Sequence, residues 1–128
     1  MTHTQDATQK PLIDIDRLSV ALEQFAADRD WHQFHSPKNL VMALTGEVGE
    51  LTEIFQWMTE DQSRLAASDA KTAQPIKDEL ADVMLYLIRL SSVLGVDMNE
   101  AVTQKLQRNA EKYPAEKVRG SSQKYDAS

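Results

Sequence analysis

The chain has 128 residues, with 20 acidic side chains against 14 Lys and Arg, giving a net charge of −6. Hydrophobic residues make up 41% and charged residues 27%, the balance of an ordinary globular domain with one modest core. The acidity argues against general binding to nucleic-acid backbones, the lack of cysteine excludes disulfides and thiolate sites, and no apolar run approaches the ~20 residues of a membrane span.

Residues 1–12 are polar and read as a disordered N-terminus without the apolar segment of a signal peptide, so a soluble cytoplasmic protein is expected. The domain is expected over residues 13–114. Its first helix spans roughly Ile15 to Arg29, because Ile15, Leu18, Leu22 and Phe25 recur at three- and four-residue spacing. An aromatic and histidine stretch follows, Trp31 to His35. Ser36-Pro37 then reads as an N-cap with proline at the first helical position, opening a second helix that reaches about Met58. The polar segment from Thr59 to Gln74 is expected to be a loop. A third helix runs from Pro75 to Leu94, with Gly95 as its stop, and a fourth is capped by Asp97 and ends before Pro114. Residues 115–128 read as a mobile tail. No alternating strand pattern occurs, so the fold class is all-α, a four-helix bundle.

Two acidic pairs stand out, Glu47-x-x-Glu50 and Glu79-x-x-Asp82. Three-residue spacing puts both members of a pair on one helix face, since a helix turns roughly 100° per residue. On the second helix Leu44, Val48, Leu51 and Phe55 form an apolar stripe, with Glu47 at its edge and Glu50 further round. On the third, Ile76, Leu80, Val83 and Leu87 form the stripe, flanked by Glu79, Asp82 and Tyr86. One such pair is normally just a solvated face. Two pairs, each beside the stripe of its own helix, bring four carboxylates together if the helices pack side by side. Hard oxygen ligands in that arrangement suit Mg²⁺ or Mn²⁺. No histidine follows at Glu-x-x-His spacing, which argues against a di-iron bundle.

The fourth helix places Lys105, Asn109 and Lys112 on one face, suited to phosphate oxygens and a sugar hydroxyl, or equally to plain surface lysines and a packing amide. Trp31, Phe34, Phe55, Trp57 and Tyr86 lie near the acidic motifs in sequence or in wheel direction, and aromatic faces stack on nucleobases or simply fill a core. His35 is a candidate base or phosphate contact. Met42, Gly46 and Gly49 share a second face of helix two, as expected where another helix approaches closely in a homo-oligomer.

The segments WHQFHSPKNL (Trp31 to Leu40), GEVGELTEIFQW (Gly46 to Trp57), DELADVMLYL (Asp78 to Leu87) and NAEKYP (Asn109 to Pro114) together resemble the MazG-like all-α nucleotide pyrophosphohydrolases, most closely their dCTP pyrophosphatase branch. The resemblance implies hydrolysis of a nucleoside triphosphate to a monophosphate and pyrophosphate. It implies Mg²⁺ held by Glu47, Glu50, Glu79 and Asp82, with Glu50 orienting or deprotonating the attacking water. It also implies base packing on Trp31 and Trp57 with Tyr86 nearby, and phosphate or sugar contacts from Lys105 and Asn109. Lys112 is a further phosphate candidate, and His35 and Tyr113 match as well. A tetramer built from two dimers is the implied assembly. Leu22 replaces a histidine of animal relatives. Other readings are a dUTP or broad house-cleaning pyrophosphatase of the same fold, a non-catalytic nucleotide-binding helical protein, and a carboxylate-bundle metal protein without nucleotide.

Overall fold

A computed structural model describes residues 13–121, and it is all-α, with six α-helices and no strand among the described residues. The expectations for residues 1–12, and for residues 122–128 of the tail, fall outside the described residues. The chain divides into two compact units, Met1–Gly95 and Val96–Ser128.

In the first unit, α1 spans Ile15–Asp28. Asp14 caps it, its carboxylate accepting from the Arg17 backbone N–H at 3.0 Å, which satisfies one of the orphan donors of the first turn. The helix ends in a tight turn where Asp30 takes a left-handed φ of 54°. That turn lets the Trp31 N–H reach back to the Ala26 carbonyl at 2.9 Å, and a 3₁₀ turn over His32–Phe34 follows. The α2 helix spans Pro37–Phe55, and its Ser36 cap accepts from the Asn39 N–H at 3.2 Å, as the Ser-Pro pair suggests.

The segment expected to be a loop instead holds α3, Glu60–Leu65, and a 3₁₀ turn, Ala66–Ser68. A capping box explains it. Gln62 N–H donates to Thr59 Oγ1 at 3.1 Å, and Thr59 N–H donates to Gln62 Oε1 at 2.9 Å, so two donors are satisfied reciprocally. The α4 helix spans Ala73–Leu94, so it starts two residues before Pro75, which sits in the first turn where its missing N–H costs nothing. Gly95 closes it in a left-handed conformation at φ 70°.

Packing in this unit is led by α4, which lies against α2 along much of its length and also against α1. The buried apolar side chains among the described residues are Ala26, Leu40, Ala66, Ile76 and Ile88. The expected stripes are largely turned inward, with Leu44, Leu51, Phe55, Val83 and Leu87 half-buried and Ile76 buried. Val48 and Leu80, expected on the core face, are exposed, while Glu47 and Glu79 are partly buried. Glu47, Glu79 and Asp82 are thus half-buried beside the stripes, while Glu50 stays exposed.

In the second unit, α5 spans Met98–Lys112, capped by Asp97, whose carboxylate accepts from the Glu100 N–H at 3.1 Å. Pro114 separates it from a single-turn helix, α6, over Ala115–Val118. Val102 and Leu106 on α5 are exposed.

Candidate active site

The register of α2 against α4 assembles the acidic cluster. Carboxylate oxygens of Glu47, Glu50 and Glu79 all lie within 4.8 Å of one another, one oxygen from each. Asp82 stands outside that triad but close enough for its charge to act on both Glu47 and Glu79. Glu47 Oε2 and Glu79 Oε2 are shielded from solvent and have no hydrogen-bond partner among the described residues. Two ionised carboxylates cannot satisfy each other, since each only accepts. Burial, followed by the neighbouring Glu79 and Glu50 carboxyls, pushes Glu47 up to about 7. Burial also raises Glu79, with Glu50 and Asp82 adding to the shift. A buried polar atom without a partner is costly, and a hard divalent cation is the partner whose chemistry matches an all-oxygen donor set. The cluster therefore fits such an ion.

Beside the cluster lies a cavity of about 260 Å³ lined by residues including Leu22, Trp31, His35, Asp82, Tyr86 and Arg89. Asp82 thus belongs to both the acidic cluster and the cavity wall. Trp31 is held by an edge-on contact with Phe25, ring centroids 5.7 Å apart at 70°, and it meets His35 edge-on at 6.3 Å. Trp31, His35 and Tyr86, expected to bind substrate, are brought to one cavity, and so is Leu22. Trp57 is not among its lining residues and is 87% exposed.

Within the second unit, Lys105 and Asn109 line one shallow apolar depression with Met98, Ala101, Val102 and Leu106. Lys105 also shares a second, charged depression with Arg108, Glu111 and Lys112. Tyr113 follows directly as the C-terminal cap of α5.

Sequence reasoning passed over Arg89, which is 4% exposed. Its Nε donates to His35 Nδ1 at 3.0 Å, and its Nη1 donates to Glu23 Oε2. Glu23 Oε1 in turn contacts His32 Nε2 at 2.6 Å. The signal was present, because Arg89 is the only charged residue from Val83 to Leu94. A lone arginine inside an apolar helix has to find an acceptor.

Residues 43–127 match the MazG-like family. The chain belongs to that family. Among MazG-like relatives, the mouse and human proteins named dCTP pyrophosphatase 1 are each 45% identical over 114 residues, 89% of this chain. The chain spans 65% of the length of those two proteins. The bovine protein of the same name is 41% identical over 93% of this chain and 69% of its own length. A solved structure described as a pyrophosphatase, from Archaeoglobus fulgidus, superposes with a TM-score of 0.73 and 34% identity, covering 83% of this chain and 97% of the other. The six helices thus belong to a MazG-like fold already seen in a pyrophosphatase. No helix among the described residues is long and apolar enough to cross a membrane.

Proposed function

We propose that this chain is a Mg²⁺-dependent nucleoside triphosphate pyrophosphohydrolase that converts dCTP and modified dCTP, with water, to the monophosphate and pyrophosphate. One observation carries the reading: Asp82 joins an acidic cluster with two buried, unpartnered oxygens to an aromatic-walled cavity. Names of the mammalian relatives support the substrate and the archaeal neighbour supports the chemistry.

In this reading Glu47, Glu50, Glu79 and Asp82 hold the ion; Mn²⁺ satisfies the same donors. Such an ion would supply positive charge to the triphosphate oxygens and to the leaving pyrophosphate. Glu50, the most exposed of the triad glutamates, orients a water molecule and accepts its proton. The water oxygen bonds to the α-phosphorus as the bond from that phosphorus to the bridging oxygen breaks. Pyrophosphate leaves with that oxygen and its electron pair. Trp31 and Tyr86 hold the base and keep water from the cavity, while Trp57 is carried forward as a second stacking surface. Lys105, Asn109, Lys112 and Tyr113 are assigned to phosphate and sugar contacts.

The protein is further proposed to be a cytoplasmic homo-oligomer, a tetramer made of two dimers, with its catalytic domain over residues 13–114. Gly46 and Gly49 leave room on α2 for a helix of another copy to approach, since among the described residues a Cβ at either would meet nothing within 4 Å. Leu22 on the cavity wall favours a second substrate reading, dUTP or a broader range of nucleotides, because it offers the base no hydrogen bond.

Pyrophosphate release from a panel of dNTPs and NTPs, with and without Mg²⁺, tests the proposal. Mg²⁺-dependent preference for dCTP is expected. Preference for another nucleotide would keep the chemistry and discard the substrate, and no release from any would refute the enzyme.

A further inference from the structure

An arginine side chain carries only donors and stays protonated at any ordinary pH. The nitrogen that receives the Arg89 Nε–H must therefore be bare. Because that nitrogen is His35 Nδ1, at 3.0 Å, the imidazole hydrogen has to sit on Nε2. A doubly protonated ring is disfavoured for the same reason, since it would set N–H against N–H. The donor itself is fixed. Arg89 is 4% exposed and is anchored on the Glu23 carboxylate, which is held on its other oxygen by His32 Nε2 at 2.6 Å. The chain of contacts runs from the 3₁₀ turn after α1, through α1, to α4 and back to His35, so ring orientation and tautomer are both set by the fold. His35 Nε2 has no hydrogen bond among the described residues, and His35 lines the cavity together with Trp31 and Tyr86.

We propose that Arg89 is a positioning residue that locks His35 as the Nε2–H tautomer, and that this N–H is the hydrogen-bond donor for an acceptor atom on the edge of the bound nucleobase. The assignment rests on reading the cavity as the base site. It adds a directed hydrogen-bond donor to a wall built of Leu22, Phe25, Trp31, Leu85 and Tyr86 with Asp82 and Arg89: the favoured ligand edge carries an unprotonated ring nitrogen or a carbonyl oxygen facing His35. Burial, with the Arg89 charge beside it, holds His35 below the ordinary histidine range, consistent with a neutral donor.

Two readouts test this independently. The first is the ¹⁵N resonance pair of His35 in the intact protein at neutral pH, which distinguishes the Nε2–H, Nδ1–H and doubly protonated rings. The Nε2–H form is expected in the wild type and a mixture in Arg89→Met. The second is the Kd for dCTP, followed by tryptophan fluorescence, together with KM and kcat. Arg89→Met should weaken binding roughly tenfold, with the loss in Kd and KM rather than in kcat. Glu23→Gln, at a half-exposed carboxylate, should shift both readouts the same way by less and covers the case in which Arg89→Met does not fold. His35→Gln, which restores a donor near the Nε2 position, should bind dCTP more tightly than His35→Leu. A hydrogen on Nδ1 in the wild type, an unchanged tautomer and Kd in both Arg89→Met and Glu23→Gln, or equal Kd values for the two His35 variants would overturn the proposal. If no nucleotide releases pyrophosphate, the proposed function fails, while the resonances and Kd values still decide the role of Arg89.

Discussion

At the residue scale, the proposed mechanism gives Glu50 a second task beside holding the ion. If Glu50 takes the proton, Glu50→Gln keeps its size and one acceptor oxygen but cannot accept a proton. Turnover should fall roughly 10²–10⁴-fold, while the Kd for dCTP changes far less. Rapid-quench turnover beside a fluorescence titration separates the two, and retained turnover would remove Glu50 from that role. Glu47 has a different signature. Its carboxyl is raised from the ordinary range to about 7 in the folded chain, so folding favours the protonated form. Stability from this group is complete below the unfolded value and is lost as pH rises from about 4.5 through about 7. His35, held low, contributes in the opposite sense, because stability is lost as pH falls and the unfolded ring protonates. Comparison with Glu47→Gln cancels that second contribution. Without metal, the urea midpoint of the wild type should therefore drop relative to the variant between pH 5 and pH 8. Adding Mg²⁺ should raise the wild-type midpoint more at pH 8 than at pH 5, since protons compete for the same oxygens. A pH-independent difference would mean that Glu47 does not sit in a crowded, dehydrated cluster.

At the element scale, helix ends were more legible than helix faces. Asp97, Gly95 and the Ser36-Pro37 pair each act through one backbone group, so their type and position suffice to place a boundary. The same chemistry exists at Thr59 and Gln62, but composition hid it: Ala, Ser and Asp between Leu65 and Thr72 look like loop, although a capping box opens a helix of six residues. So short a helix depends on its cap, because propagation alone cannot offset nucleation. Thr59→Ala should lower global stability by about 1 kcal/mol and expose the α3 amides preferentially to hydrogen exchange. Uniform protection across α3 in the variant would mean that packing, not the cap, holds it. Faces were harder to read. A hydrophobic stripe assumes that the buried face is wholly apolar, whereas Val48 and Leu80 are exposed in the single chain and Glu47 and Glu79 are half-buried. Arg89 escaped for the same reason, as a charge at a buried position. The departures gather at the cluster and the cavity, where placement of charge outweighs burial of apolar area.

At the scale of the whole molecule, apolar surface is left over. Val41, Met42, Val48, Leu80, Val102 and Leu106 are all exposed, and the buried apolar set among the described residues is small. Patches of this kind mark association surfaces. The two glycines of α2 give the sharpest test of the proposed assembly. Neither is needed for a positive φ, and among the described residues of one chain a Cβ at Gly46 meets nothing within 4 Å. In a monomer, Gly46→Ala should therefore stabilise α2 by about 1 kcal/mol, the ordinary gain in helix propensity. Where another copy packs across this face, the added methyl meets its backbone and assembly weakens instead. Light scattering at micromolar concentration is expected to give a mass several times 14.4 kDa for the wild type and a lower average mass for Gly46→Ala. A monomeric wild type whose Gly46→Ala variant only gains thermal stability would refute the oligomer. It would also leave the exposed apolar faces of α2 and α4 to some other partner.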